Sequence, residues 1–356
     1  MKSFVLETYP FLSMPSYDTN TTSDELVKDY ASLIKGKVVL TTGVSPGGLG
    51  AAFVLAIAKA QPALLILAGR DLTKLEKTAA DISASNPTIK TRNLRINLES
   101  LQSVRDAAAA VNSWSDAPAI DVVVNNAAIM ACDYGISVDG FERQLASNHL
   151  GHFLLANLIM NKVLASKSPR VVFVGSAGHR FNPFRFDDYN FDDGKSYDKW
   201  RAYGQSKTAN ILTAISLAKK LGGRGLLAFS LHPGVIMTNI ASHIDLSKDF
   251  KGADAVDYAM GNLEAFHSDM NFKSMERGVA THIYAAFDPN LSGVGGLAIV
   301  VESCSIYPSD QNGSYLLDCH VADPVTETVK PWAISRIEAE KLWTLSQKLV
   351  GQEFSY

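Results

Sequence analysis

The stretch Lys37-Val38-Val39-Leu40-Thr41-Thr42-Gly43-Val44-Ser45-Pro46-Gly47-Gly48-Leu49-Gly50-Ala51-Ala52-Phe53-Val54-Leu55-Ala56 decides the fold. Residues 37–42 are an unbroken apolar and β-branched run, the pattern of a strand buried on both faces. Residues 51–59 are Ala-rich and predict a helix. Between them, glycines let the backbone turn tightly and approach an anion closely. The helix start adds free N–H groups and a favourable dipole. A glycine-rich turn also serves any tight strand–helix connection. After the first strand of an α/β sheet it points to a dinucleotide pyrophosphate. No Lys follows in a Gly-Lys-Ser/Thr arrangement, so a nucleoside-triphosphate loop is not expected.

The same alternation continues outward. Apolar runs at 63–68, 91–96, 120–125, 170–175 and 226–231 predict strands. Helical runs at 72–83, 98–111, 140–165 and 200–221 lie between them. Apolar strands without polar alternation, joined by helices, predict an α/β fold. Right-handed crossovers make it a doubly wound parallel sheet of the Rossmann type. Residues 1–36 read as an N-terminal extension with one short helix at 23–33, capped by Ser23 or Asp24. No linker interrupts residues 37–356, which read as one domain. Residues 293–312 look inserted, with an extra edge strand at 296–301. The C-terminal run 334–351 predicts an amphipathic helix with Ile334, Ile337, Leu342, Leu345 and Leu349 on its apolar face.

Composition bounds the rest. The chain has 356 residues, 33 Lys+Arg against 36 Asp+Glu, and a formal net charge of −3. Hydrophobic residues make up 47%, too many for a disordered chain. The charge balance gives no support to a nucleic-acid partner. Cys132, Cys304 and Cys319 are too scattered for a disulfide framework or a metal site, and read as free thiols in a reducing compartment. Apolar stretches fall short of the ~20 residues of a membrane span. The expectation is a cytoplasmic protein, with a peripheral hold on a membrane by residues 4–12 left open.

The second strand ends Ala68-Gly69-Arg70-Asp71. In such sheets this position faces the adenosine ribose. An acid there accepts from ribose hydroxyls, whereas an Arg pairs with a 2′-phosphate. Arg70 favours NADP(H) over NAD(H). Asp71 is the counterargument, unless it caps the helix that follows.

Further motifs recur in order at strand ends: Asn125-Asn126-Ala127-Ala128, Ser147-Asn148-His149-Leu150-Gly151, Gly175-Ser176-Ala177-Gly178, Tyr203-Gly204-Gln205-Ser206-Lys207 and His232-Pro233-Gly234-Val235-Ile236-Met237-Thr238. Together they resemble the short-chain dehydrogenase/reductase family over about 37–350. Residues 125–130, 148–155, 197–212 and 315–319 look most like its retinol-dehydrogenase-like branch and fungal relatives. The resemblance implies that Ser176, Tyr203, Lys207 and Asn148 are catalytic. It implies a dinucleotide held by Gly43, Ser45, Gly48, Leu49, Gly50, Arg70, Asn97, Leu98, Asn125, Ala127, Tyr203, Lys207, Pro233, Val235 and Thr238. Ser176 would hold a carbonyl oxygen, Asn148 would place a water beside Lys207, and Thr238 would bond the carboxamide. Departures are a glycine loop one residue longer or re-registered around Gly48-Leu49-Gly50, Asn97 where Asp is usual, and Ala128 where Gly is usual.

Tyr203 and Lys207 are one helical turn apart and share a face. A phenol near ~10 is a poor base at neutral pH, and a neighbouring ammonium and an oxidised nicotinamide ring would lower it. His149, His152 and His179 read as packing or hydrogen-bonded residues. The 176–203 segment carries Phe181, Phe184, Phe186, Phe191 and Trp200, either a lipophilic pocket rim or the packing of an ordered loop. Residues 239–273 are expected to form a helical lid with Met237, Ile240, Met260 and Phe266 at the pocket. The function expected is an NADP(H)-dependent oxidoreductase interconverting a lipophilic alcohol and a ketone or aldehyde, with a natural-product tailoring step as context. A dinucleotide-binding sensor and a redox-neutral cyclase or isomerase stay open, as does a homo-oligomer.

Overall fold

Six parallel strands, five of them apolar runs and one a polar edge strand, build most of the sheet in a computed structural model that describes residues 17–262, 271–292 and 311–356. They are β1 Val38–Thr42, β2 Leu64–Gly69, β3 Thr91–Arg95, β4 Val122–Asn125, β5 Arg170–Val174 and β6 Leu227–His232. β7 Tyr315–Leu317 and β8 His320–Val321 extend it. The order is β3-β2-β1-β4-β5-β6-β7-β8, parallel throughout except for the terminal β7–β8 pair. Strand order reverses between β1 and β4, and such a switch point opens a crevice at the strands' carboxyl ends.

The helices are α1 Ser23–Asp29, α2 Ala31–Ile34, α3 Leu49–Ala58, α4 Leu72–Ser85, α5 Leu101–Ser113, α6 Arg143–Leu145, α7 Gly151–Leu158, α8 Met160–Leu164, α9 Lys199–Leu221, α10 Leu246–Ala259, α11 Met275–Phe287 and α12 Arg336–Val350. Successive strand residues serve opposite faces. Leu40, Val123, Val171 and Phe173 join Phe153, Ala209 and Leu212 of α7 and α9 in one core cluster. Val39, Val124, Val172 and Phe229 join Phe53 of α3 and Ile283 of α11 in the other. Leu26, Val27 and Ile34 of α1 and α2 pack into that second cluster, so the described part of the N-terminal segment is docked on the sheet.

Several expectations need correction. The 140–165 run is not one helix. Glu142 caps α6 by accepting from the Gln144 and Leu145 amides, a π-turn spans Ala146–Leu150, and the chain breaks at Ile159 before α8. The 23–33 helix is capped by Thr22 in a capping box with Glu25, not by Ser23 or Asp24, and it breaks at Tyr30. On α12 the buried residues are Ala339, Leu342, Trp343, Ser346 and Val350. Ile337 is 71% exposed, because the stripe turns to place Ser346 against His149 at 2.7 Å. Asp71 does cap α4, accepting from the Lys74 amide. The 296–301 edge strand, Phe266 and residues 4–12 lie outside the described residues.

Phe153 is fully buried and meets Trp343 and Phe354 edge-on at 5.0 and 5.8 Å. It ties α7 to the C-terminal helix. Phe153→Ala is expected to cost ~3–5 kcal/mol in urea unfolding; a cost below ~1 kcal/mol would show that this contact carries little of the fold.

Candidate active site

A cavity of about 480 Å³ runs along the carboxyl ends of the strands. Gly43, Ser45, Gly48 and Leu49 form one wall, and Gly69, Arg70, Asn97 and Leu98 one end. Ala127, Ser176, Tyr203, Lys207, Pro233, Val235 and Thr238 line the remainder. Most of the residues expected to hold a dinucleotide are thus brought to one groove. Asn125 and Gly50 are not on its surface. Asn125 is 1% exposed, and neither atom of its amide has a hydrogen-bond partner among the described residues.

Gly48 is the N-cap of α3, and the helix starts at Leu49. Gly50 works from behind: a Cβ there would lie 2.6 Å from the Gly43 carbonyl oxygen and from Asn126 Nδ2. Gly43 has φ +73 and packs on Ala127, where a Cβ would sit 2.7 Å from the Ala127 Cα. This close-set cradle at a helix N-terminus fits a dinucleotide pyrophosphate. The chain's own residues therefore fit the expected cofactor in both contour and chemistry.

At the other end, Arg70 reaches Glu99 at 3.4 Å, and Glu99 also takes two hydrogen bonds from Arg143, at 2.7 and 3.2 Å. Asp71 is engaged in its cap. Lys74 and Glu99 also line the groove, and neither was singled out from the sequence. Asn97 uses its amide oxygen to accept from the Glu99 amide at 3.2 Å.

Ser176 follows β5, and its Oγ accepts from the Gly178 amide at 3.0 Å. The Tyr203 ring and the Ser176 hydroxyl both face Gly178, where a Cβ would lie 2.8 Å from Tyr203 Cε1 and 3.3 Å from Ser176 Oγ. The Lys207 ammonium lies 5.6 Å from the Tyr203 ring centre and donates to the Val174 carbonyl at 2.8 Å. Burial dominates the titration of both groups. It pushes the phenol up to about 12, with the Ser176 hydroxyl opposing, and the ammonium down to about 7. The phenol is itself only 7% exposed, and desolvation is the main cause of its rise; the lowering expected beside both an ammonium and an oxidised nicotinamide ring concerns the loaded site.

Asn148 sits in the π-turn. Its amide accepts from the Ile129 N–H and donates to the Ile129 carbonyl and to Ser206 Oγ, all at 2.9 Å. These bonds pin the chain after β4 to α9. Ser206 in turn donates to the Tyr203 carbonyl. His152 Nδ1 lies 2.9 Å from the Asn148 carbonyl and Nε2 lies 2.8 Å from Thr42 Oγ1. Thr42 Oγ1 also accepts from the Asn126 and Ala127 amides. Each group then fills one role if His152 is neutral and protonated at Nδ1. Burial does hold His152 down at about 4. His149 and His179 are buried and paired in the same way. Sequence reasoning missed Thr42 and Asn126, since nothing in a Thr-Gly or Asn-Asn step shows which backbone groups will face it.

Beyond Tyr203 the groove becomes apolar, with Met130, Phe181, Trp200, Ile240 and Phe250 on its walls. Phe184, Phe186 and Phe191 pack within the protein instead, so only Phe181 and Trp200 of the loop aromatics form a rim. Met237 and Ile240 line the groove as expected, whereas Met260 packs behind it with Trp200 and Phe250. The segment after β6 is tied at both ends of the groove. Asn239 donates to the Pro46 carbonyl at 2.9 Å, and His243 Nε2 lies 2.8 Å from the Met130 carbonyl.

Comparison with known proteins agrees with this geometry. Residues 37–190 match the family model described as short chain dehydrogenase. The chain is 35% identical to "Short-chain dehydrogenase/reductase prx1" of Penicillium roqueforti, over 94% of this chain and 91% of that protein. It is 32% identical to "Retinol dehydrogenase 14" of Homo sapiens, over 90% and 88%. A crystal structure of an uncharacterized protein from Mycobacterium paratuberculosis superposes with a TM-score of 0.63 at 28% identity, covering 92% of this chain and 98% of that one. The chain belongs to the short-chain dehydrogenase/reductase family, as a retinol-dehydrogenase-like member of fungal type. It is an oxidoreductase acting on CH–OH groups. No described helix is long and apolar enough to cross a membrane.

Two predictions follow from the geometry. Gly50→Ala is expected to weaken NADPH binding by about tenfold or more in a fluorescence titration, a difference of ~1.4 kcal/mol; unchanged affinity would remove the cradle from the account. Lys207 binds its proton less tightly folded than unfolded, so the sign is set. Between about pH 7 and about pH 10, stability should rise with pH in the ligand-free protein. Lys207→Met should flatten that rise in urea unfolding, and parallel profiles would contradict it.

Proposed function

We propose that this chain is an NADP(H)-dependent reductase that interconverts a lipophilic ketone or aldehyde and its alcohol, as a tailoring step in natural-product biosynthesis. The observation that carries the reading is the meeting of Ser176, Tyr203 and Lys207 where the glycine-walled groove gives way to an apolar pocket. Two Penicillium relatives named as a short-chain dehydrogenase/reductase and an oxidoreductase support the redox reading.

When bound, a reduced nicotinamide supplies the hydride, which forms the new C–H bond at the carbonyl carbon. The Ser176 hydroxyl holds the carbonyl oxygen in place as negative charge builds on it. The Tyr203 phenol gives its proton to that oxygen, which closes the balance as an alcohol. A phenol raised to about 12 is protonated at neutral pH, as a proton donor must be. Lys207 stabilises the phenolate left behind and would hold the cofactor's ribose hydroxyls. Asn148 holds Ile129 and Ser206, and so fixes the floor under Tyr203. Met130, Trp200 and Phe250 exclude water and favour an apolar substrate. Arg70, with Asp71 spent on its cap, supports a 2′-phosphate and hence NADP(H).

Tyr203→Phe is expected to lower kcat/KM for a panel of lipophilic ketones by about 10²–10⁴-fold while leaving NADPH affinity within about twofold. Equal rates would remove Tyr203 from its role. Arg70→Ala is expected to weaken NADPH about tenfold with little change for NADH; equal losses would reject the cofactor assignment.

A further inference from the structure

The adenosine end of the groove holds more charge than the Arg70 position alone explains. Glu99 is a lining carboxylate whose side chain is 14% exposed, and it stands between two guanidinium groups. They hold it unequally. Arg143 donates to both of its oxygens, at 2.7 Å to Oε2 and 3.2 Å to Oε1. Arg70 reaches only Oε1, at 3.4 Å, and its side chain is 67% exposed. A two-point guanidinium–carboxylate pair is stronger and more directional than a single long contact. Arg143 is itself fixed in place. Its backbone N–H donates to the Gly135 carbonyl at 3.1 Å, and its stem lies where a Gly135 Cβ would come within 2.7 Å of Arg143 Cδ.

We infer that Glu99 and Arg143 together set the 2′-phosphate selectivity of the site. Arg143 holds and neutralises the Glu99 carboxylate, which leaves Arg70 weakly held and able to turn to a phosphate dianion. Neither residue needs to touch the ligand. Arg143 acts as a positioning residue through Glu99, and Glu99 acts by competing for Arg70. The inference rests on the NADP(H) reading and adds to it the element that decides how much of Arg70 is available. A carboxylate left without Arg143 would grip Arg70 and repel a 2′-phosphate at once.

The test is equilibrium binding of NADPH, NADH and 2′,5′-ADP to the full chain by fluorescence titration, in Glu99→Gln, Arg143→Gln and the double variant. Glu99→Gln should tighten NADPH and 2′,5′-ADP by about fivefold and leave NADH within about twofold. Arg143→Gln should weaken the two phosphorylated ligands by about tenfold, again sparing NADH. The double variant should bind as Glu99→Gln does, because Arg143 acts only through the carboxylate. If Arg143→Gln fails to fold, Glu99→Gln alone decides. Equal shifts for all three ligands would overturn the inference. So would weaker NADH with no gain for NADPH in Glu99→Gln, because the carboxylate would then serve ribose hydroxyls. Arg70→Ala separates the two levels: selective loss there with unselective Glu99 and Arg143 variants sinks this inference alone, whereas unselective loss there sinks the cofactor reading itself.

Discussion

An ammonium buried against a backbone carbonyl is the constraint around which the site is arranged. Lys207 reaches the Val174 carbonyl at the end of β5, and its titration is governed by burial rather than by a carboxylate partner. Taking a cation out of water is costly unless polar atoms receive it. Here the sheet's carboxyl edge supplies one such atom, and the aromatic face of Tyr203 lies nearby. The cost is a reason to expect function, since strongly shifted groups in a groove are found where chemistry needs them. The same burial favours the protonated phenol, so one physical cause acts on both Lys207 and Tyr203.

Holding that pair requires a scaffold that does not shift. A chain of hydrogen bonds runs from Thr42, at the start of the glycine loop, through His152 to the Asn148 carbonyl. The Asn148 side chain carries it on to Ile129 and to Ser206 beneath Tyr203. Every member is buried or nearly so, and satisfied networks in low dielectric are stiff. The π-turn at Ala146–Leu150 belongs to this design. It widens the helix where Asn148 must reach the neighbouring chain, and π-turns are frequent at functional sites for that reason. The glycine-walled side of the groove and the helix that carries Tyr203 are therefore joined by one hydrogen-bonded network.

Much of this was legible in the residues, and the reasons are specific. Strands such as 170–174 are apolar because both faces are covered, so periodicity found them without ambiguity. Tyr203 and Lys207 were legible because they stand in order with the other family motifs, and helical spacing then puts them on one face. The helix over 140–165 was misread, because Asn148 acts through the distant Ser206 and because a Glu inside a helical run does not announce itself as the cap of Gln144 and Leu145. The face of α12 was misjudged for the same reason, since a polar Ser346 takes an inward position to meet His149. Glu99 and Arg143 lie far apart in sequence, and no local pattern announces their pairing. Spacing shows neighbours but not depth, and in the protein alone depth governs the Tyr203 phenol.

The central claim is that a protonated Tyr203 and a bound nicotinamide act on one carbonyl in this groove. It is tested most directly by isotope transfer. Purified protein would be given NADPH carrying deuterium at the transferable C4 position together with a lipophilic ketone, and the alcohol formed would be read by mass spectrometry and NMR. The account predicts deuterium at the carbinol carbon alone, and its near-complete loss with Tyr203→Phe. Alcohol formed without the label, or labelled equally well by the variant, would contradict it.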